Sequence, residues 1–138
     1  MIRLAKHLLA VALAGTTAQA AELDVTVSEI RSQQGVLMIA LVDSAAAWDD
    51  HAEAVASAVR KAPGAQETFH FSNLPAGTYA VKVMHDENGN GKLDANFMGM
   101  PTEGYGFSNN PTVLRKPTFD EAKFDLGAAA GSITLRLR

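Results

Sequence analysis

Leu74-Pro75-Ala76-Gly77-Thr78-Tyr79-Ala80-Val81-Lys82-Val83, followed at once by Met84-His85-Asp86-Glu87-Asn88-Gly89-Asn90-Gly91-Lys92-Leu93-Asp94, is the stretch that decides the fold. A Pro-Ala-Gly turn leads into a run where Tyr79, Val81 and Val83 alternate with Thr78, Ala80 and Lys82. A period of two sends one set to a core and the other to solvent, which defines a half-buried β-strand. Asn88-Gly89 and Asn90-Gly91 then favour positive φ at little steric cost, so the strand gives way to a tight polar turn.

The alternation recurs on both sides of this stretch. Upstream, Leu23, Val25 and Val27 oppose Asp24, Thr26 and Ser28, and Phe69 and Phe71 flank a solvent-facing His70. Downstream, Ile133, Leu135 and Leu137 alternate with Thr134, Arg136 and Arg138. After the Gln34-Gly35 turn, Gly35 to Val42 is a continuous apolar run, as expected of a central strand covered on both faces. Lys123 to Leu126 and a piece near Val113 are weaker strand candidates, and Gly104 to Pro111 reads as an ordered loop. Ser44 to Lys61 departs from the pattern: it is alanine-rich, with Trp48, Ala52, Val55, Ala56 and Val59 at helical spacing. Asp49-Asp50 near its start and Arg60-Lys61 near its end suit a helix dipole, which predicts a short helix from Trp48 to Arg60. The sum, about seven short strands with frequent turns, predicts an all-β, immunoglobulin-like antiparallel β-sandwich with one short helical insert.

The first twenty residues stand apart from this fold. Arg3 and Lys6, the apolar run Leu8 to Ala14, and the small-x-small box Ala18-Gln19-Ala20 have the order of a cleavable signal peptide. Cleavage between Ala20 and Ala21 leaves residues 21–138 as one domain, exported to the periplasm or secreted. No run approaches the roughly 20 apolar residues of a membrane-spanning helix. The chain has no cysteine, so stability rests on an ordinary apolar core rather than on disulfides. Of 12 Lys and Arg against 15 Asp and Glu, two basic residues fall within residues 1–20, which leaves a net charge of −5 on the rest. With no basic cluster longer than two residues, nucleic acid is not an expected partner.

The turn after the deciding strand carries the one pattern with a chemical reading. Asp86, Asn88 and Asn90 stand at positions 1, 3 and 5 of a calcium loop, Gly91 at 6, Lys92 at 7 through its carbonyl, and Asp94 at 9. Position 12 is Phe97, so the bidentate glutamate is missing, and further oxygens from Glu103 or Asp43 would be needed. Such a site would bind Ca2+ weakly, with a dissociation constant of roughly 0.1–1 mM. The same residues equally describe a polar turn whose side chains bond only to their own backbone. Calcium or no cofactor are the two readings.

Together these motifs resemble a family. Leu74 to Val83 is similar to the strand signature of transthyretin-like and carboxypeptidase-regulatory-like sandwiches. His85 to Asp94, Asn96 to Asn110 and Pro117-Thr118-Phe119-Asp120-Glu121-Ala122 resemble the bacterial "domain of unknown function 2141" family over nearly all of residues 21–138. That resemblance implies an exported sandwich domain and carries no established activity. The loop is also loosely similar to calcium-binding B-type repeats of bacterial surface adhesins, with Asn90 where those often have an aspartate.

Catalytic constellations are lacking. His51, His70 and His85 fall on three different elements, His85 sharing the inward parity of Val81 and Val83. Ser108 lacks a Gly-x-Ser-x-Gly elbow. The expected function is a non-catalytic binding or structural module of the bacterial envelope, with an envelope protein or a glycan as partner. Tyr105, Phe107 and Trp48 form a candidate surface for a small ligand or glycan. A metal-dependent hydrolase built on Asp86, His85 and Glu103 is the reading from another class.

Overall fold

The computed structural model describes Gly15 and residues 19–138. Arg3, Lys6, the Leu8–Ala14 run and Ala18, which carry the signal-peptide reading, lie outside the described residues. Eight strands and two single-turn helices follow in the order β1 (Ala21–Ser28), β2 (Val36–Val42), α1 (Ala45–Trp48), β3 (Ala56–Lys61), β4 (Glu67–Leu74), β5 (Gly77–Asp86), β6 (Tyr105–Phe107), α2 (Phe119–Ala122), β7 (Phe124–Leu126) and β8 (Gly131–Arg136). They form two sheets. One has the order β4-β1-β8, with β1 antiparallel to β4 but parallel to β8, which corrects the expectation of a wholly antiparallel sandwich. The other has the order β3-β2-β5-β6, all antiparallel, with β7 paired to the start of β5.

The core forms where the alternating faces meet. Leu23, Val25 and Val27 of β1 and Phe69 and Phe71 of β4 pack with Leu135 and Leu137 against Leu37, Ile39 and Leu41 of β2 and Tyr79, Val81 and Val83 of β5. His70 is exposed, as its parity requires, and bonds Asp24 at 2.6 Å. The Asp24 carboxylate lifts the His70 pKa above its ordinary value. Beyond β8, Arg138 and Tyr105 exchange backbone hydrogen bonds of 2.9 and 3.1 Å, which tie the two sheets together at that margin. Gly106 makes this crossing sterically feasible, because a Cβ there would stand 2.7 Å from the Arg136 carbonyl oxygen.

The helical insert is corrected. The helix stops at Trp48, and Asp50 takes φ +61, which no continuing helix allows. The Val55 N–H bonds the Leu41 carbonyl, and Ala56–Lys61 then pairs residue by residue with β2. Alanine's helix preference is worth only a fraction of a kcal/mol per residue, and an open edge of β2 overrides it. Three of the four charges assigned to a helix dipole are paired instead: Asp50 with Lys82 at 2.6 Å, Asp49 with Lys116 at 3.4 Å, Arg60 with Glu67 at 3.4 Å. β2 is central in its sheet but covered fully on one face only, since Val36, Met38 and Ala40 are half-buried. The Gly104–Pro111 loop contains β6, and the residues around Val113 form no strand.

α1 and α2 seal the outer face of the larger sheet at one end. Trp48 is 1% exposed and packs with Ala47, Val42, Ala80 and Ala122. Its Nε1–H donates to the Pro117 carbonyl at 2.8 Å, which answers the one polar atom that burial would otherwise orphan. Ser44 caps α1, and Thr118 and Glu121 close a capping box on α2. No helix among the described residues is long and apolar enough to cross a membrane.

Candidate functional site

β5 ends at Asp86, opposite Val36, and the chain leaves the sheet there to return at Tyr105. The base of this arm is built around two buried carboxylates. Asp86, 3% exposed, accepts the Asn90 N–H on Oδ1 at 3.1 Å and the Gly91 N–H on Oδ2 at 2.7 Å. Glu103, 5% exposed, accepts the Glu87 and Asn88 N–H groups on Oε1 at 3.1 and 3.3 Å and the Asp94 N–H on Oε2 at 2.9 Å. Gly89 (φ +73) and Gly91 (φ +81) supply the left-handed turns that point these N–H groups inward. Charged acceptors facing main-chain donors give the stronger class of hydrogen bond, so the turn is held by its own backbone.

The asparagines complete the knot. Asn88 Oδ1 accepts the Asn90 N–H at 3.1 Å, and Asn90 Oδ1 accepts the Lys92 N–H at 2.9 Å. Their amide N–H groups turn to Asp94, that of Asn90 at 2.8 and 2.9 Å and that of Asn88 closer still. Donation from Asn90, then Asn88, holds the Asp94 carboxyl below its ordinary pKa. Asn88 Oδ1 and Asn90 Oδ1 thus each accept one main-chain N–H. No group of three His, Cys, Asp or Glu among the described residues is disposed to hold a metal ion. Asp43 follows the far end of β2, seven residues or roughly 20 Å from the Val36–Asp86 pair, and so drops out of any ligand set with the loop.

From Asp94 to Thr102 the arm is a closed hairpin. The Thr102 N–H donates to the Asp94 carbonyl at 2.8 Å, Ala95 bridges Pro101, and the Asn96 N–H donates to the Met100 carbonyl at 2.8 Å. Asn96 Oδ1 accepts the Met98 and Met100 N–H groups at 2.9 and 3.1 Å, and Gly99 (φ +78) turns the tip. With the backbone satisfied, the side chains point out: Phe97 is 98% exposed, Met98 72% and Met100 49%. Arg31 straps the arm to the body, donating to both Glu87 oxygens at 3.0 and 2.8 Å and to the Thr102 carbonyl. Arg31 in turn holds the Glu87 carboxyl below its usual range.

The other residues singled out in the sequence do not converge on this arm. His85 and Asp86 are neighbours on a strand and so point to opposite faces. His85 is fully buried, its Nε2–H donating to the Gln34 carbonyl at 2.7 Å while Nδ1 has no partner. The Ser108 hydroxyl accepts the Val81 N–H at 2.9 Å and donates to the Ala122 carbonyl at 2.6 Å, which is a packing role. Trp48, Phe107 and Tyr105 do form a chain of aromatic contacts, at 5.5 and 5.9 Å between centroids. Trp48 is enclosed at its end and Tyr105 and Phe107 are half-buried, so only the latter two can meet a ligand. The apolar tip escaped the sequence reading, where Phe97 counted only as a missing ligand at position 12. The run Phe97-Met98-Gly99-Met100-Pro101 inside a Gly- and Asn-rich stretch was its available signal.

These features define a two-sheet, all-β domain carrying a hydrogen-bonded polar arm with an apolar tip. The chain belongs to a bacterial family described as "uncharacterized protein conserved in bacteria (DUF2141)", whose profile matches residues 25–134. No curated protein and no solved structure matches the chain.

Proposed function

We propose that this protein is an exported, non-catalytic binding module of the bacterial envelope, and that it engages its partner through the tip of the β5–β6 arm. The exposure of Phe97, Met98 and Met100 carries this reading. An exposed leucine here or there is ordinary, whereas three large apolar side chains together on a fixed protrusion mark a contact surface. Burying each would contribute about 1.5–3 kcal/mol. The knot at Asp86 and Glu103 keeps the cost of ordering the arm out of the binding step. Met98 and Met100 add side chains that adapt to an irregular partner surface.

Export rests on the signal-peptide pattern of residues 1–20. A binding rather than a catalytic role is supported by the buried, structurally spent Ser108 and the dispersed histidines. We read Asp86 to Asp94 as a metal-free polar turn, because its side chains serve its own main-chain N–H groups and the Asn88 and Asn90 amides turn their N–H groups to Asp94. The two-sheet arrangement we read as immunoglobulin-like, in line with the resemblance in the sequence.

The test compares the wild type with Phe97→Ser/Met98→Ser/Met100→Ser, immobilised and exposed to an envelope extract. The expected result is a partner retained by the wild type and lost from the variant, with unchanged melting temperature. Equal retention by both proteins, or none by either, would overturn the assignment.

A further inference from the structure

A second feature lies away from the arm, at the margin where β8 meets β6. A cavity of about 200 Å³ is lined by Phe107, Asn110, Thr112, Arg136 and Arg138. We propose that this cavity binds a small anion, a carboxylate or phosphate group carried on a sugar-sized body.

Arg136 and Arg138 take part in no ion pair among the described residues, although most other basic side chains of this acidic chain do. No carboxylate side chain lines the cavity. Two arginines with no carboxylate side chain beside them give the concavity a positive lining, which a bound anion would offset. The planar donor fork of arginine matches both carboxylate and phosphate oxygens.

β8 ends at Arg136, and the alternation of buried Leu135 and Leu137 with exposed Arg136 and Arg138 runs on past it, so both arginines are turned outward. Asn109 and Asn110 adopt φ +65 and +45, a strained pair of left-handed residues that folds the next segment back over β8. Asn110 Oδ1 accepts the Arg136 N–H at 2.9 Å, and Asn109 Nδ2 donates to the Lys123 carbonyl at 2.7 Å, which fixes that turn. The Arg138 guanidinium is held by the Pro111 carbonyl and lies 5.9 Å over the Tyr105 ring. Arg138 is therefore held in position, the Arg136 guanidinium has no hydrogen-bond partner among the described residues, and both line the cavity.

Size and lining fix the class of occupant. The volume lies below the roughly 300–1,000 Å³ of drug-sized sites, which limits the ligand to about one sugar ring. Phe107 gives the ring an apolar wall, and Thr112 offers a hydroxyl.

Amide chemical shifts of the 15N-labelled protein, followed at constant ionic strength, test this with three probes: sodium glucuronate, sodium phosphate and neutral glucose. Saturable shifts centred on Phe107, Asn110, Thr112, Arg136 and Arg138 are expected with glucuronate or phosphate and none with glucose. Saturation by glucuronate alone identifies a carboxylate site, by phosphate alone a phosphate site, and by both a site for either anion. Losing one charge-assisted hydrogen bond at a partly exposed site should weaken binding about tenfold in Arg136→Gln and in Arg138→Gln. Lys61→Gln, which removes an exposed cation on β3, should leave affinity unchanged. Absence of saturable shifts with both anions, equal shifts with glucose, or equal losses in Arg136→Gln and Lys61→Gln would overturn the proposal.

Discussion

Replacing Glu103 with glutamine removes the charge from the centre of the arm while keeping its shape. In the wild type the carboxylate, 5% exposed, serves three main-chain N–H groups, those of Glu87, Asn88 and Asp94. Glutamine has one oxygen, which can keep the bifurcated pair at Glu87 and Asn88 as weaker neutral bonds. Its amide N–H2 must then face the Asp94 N–H, donor against donor. Hydrogen bonds to a charged group contribute about 1.5–3 kcal/mol each, so one lost and two weakened should cost about 2–4 kcal/mol. For a domain of this length that lowers the melting temperature on the order of 10 °C. Glu103→Ala, which strands all three N–H groups, should cost more. Thermal melts read the total, and amide exchange reads the location: in Glu103→Gln the Asp94 amide should lose protection before Glu87 does. A loss under about 0.5 kcal/mol, with unchanged protection at these amides, would refute the reasoning, because surface substitutions cost no more than that.

Further outcomes follow from the same geometry. Gly35→Ala should destabilise by at least about 3 kcal/mol in denaturant titration, since residue 35 sits at φ +74 and an added Cβ would lie 2.0 Å from the Asp86 carbonyl oxygen. Glu121, held to a pKa of about 2 first by Arg115 and then by the Thr118 N–H, contributes stability that is complete above its ordinary carboxyl value and is lost as pH falls toward about 2. In carbon-detected titrations, Arg115→Gln should bring the Glu121 midpoint back up. Melting temperatures in about 1 mM calcium and in chelator should coincide; a site with a dissociation constant of about 0.1 mM would add about 1.4 kcal/mol and a rise on the order of 5 °C, and that rise would establish a cation site.

What could be read in the sequence was whatever local periodicity encodes. The alternations at Leu23–Ser28, Thr78–Val83 and Ile133–Arg138 each mark strands whose inward residues are buried or half-buried. Ala56–Lys61 was not legible, because its strand state depends on pairing with β2, a partner over a dozen residues away in the chain. The second helix was legible but passed over: Thr118-x-x-Glu121 is a capping-box spacing, and the structure forms both of its bonds. At the arm, the Asp-x-Asn-x-Asn-Gly spacing gave the turn and its glycines. It could not show that Glu103, nine residues beyond Asp94, folds back to accept that residue's N–H. Arg136 and Arg138 read as solvent-facing members of an alternation, and only the fold of Asn109 to Thr112 over β8 turns them into the wall of a cavity.

The central claim, that the arm's apolar tip is the recognition surface, is tested most directly by a photo-crosslinking amino acid placed at position 97 in the protein produced in its bacterial host. A second copy carrying the same group at Asp24, exposed on β1 of the smaller sheet, serves as the reference. Irradiation should give one discrete adduct from position 97 in the envelope fraction and none from position 24. Adducts of equal pattern from both positions, or none from position 97, would contradict the account.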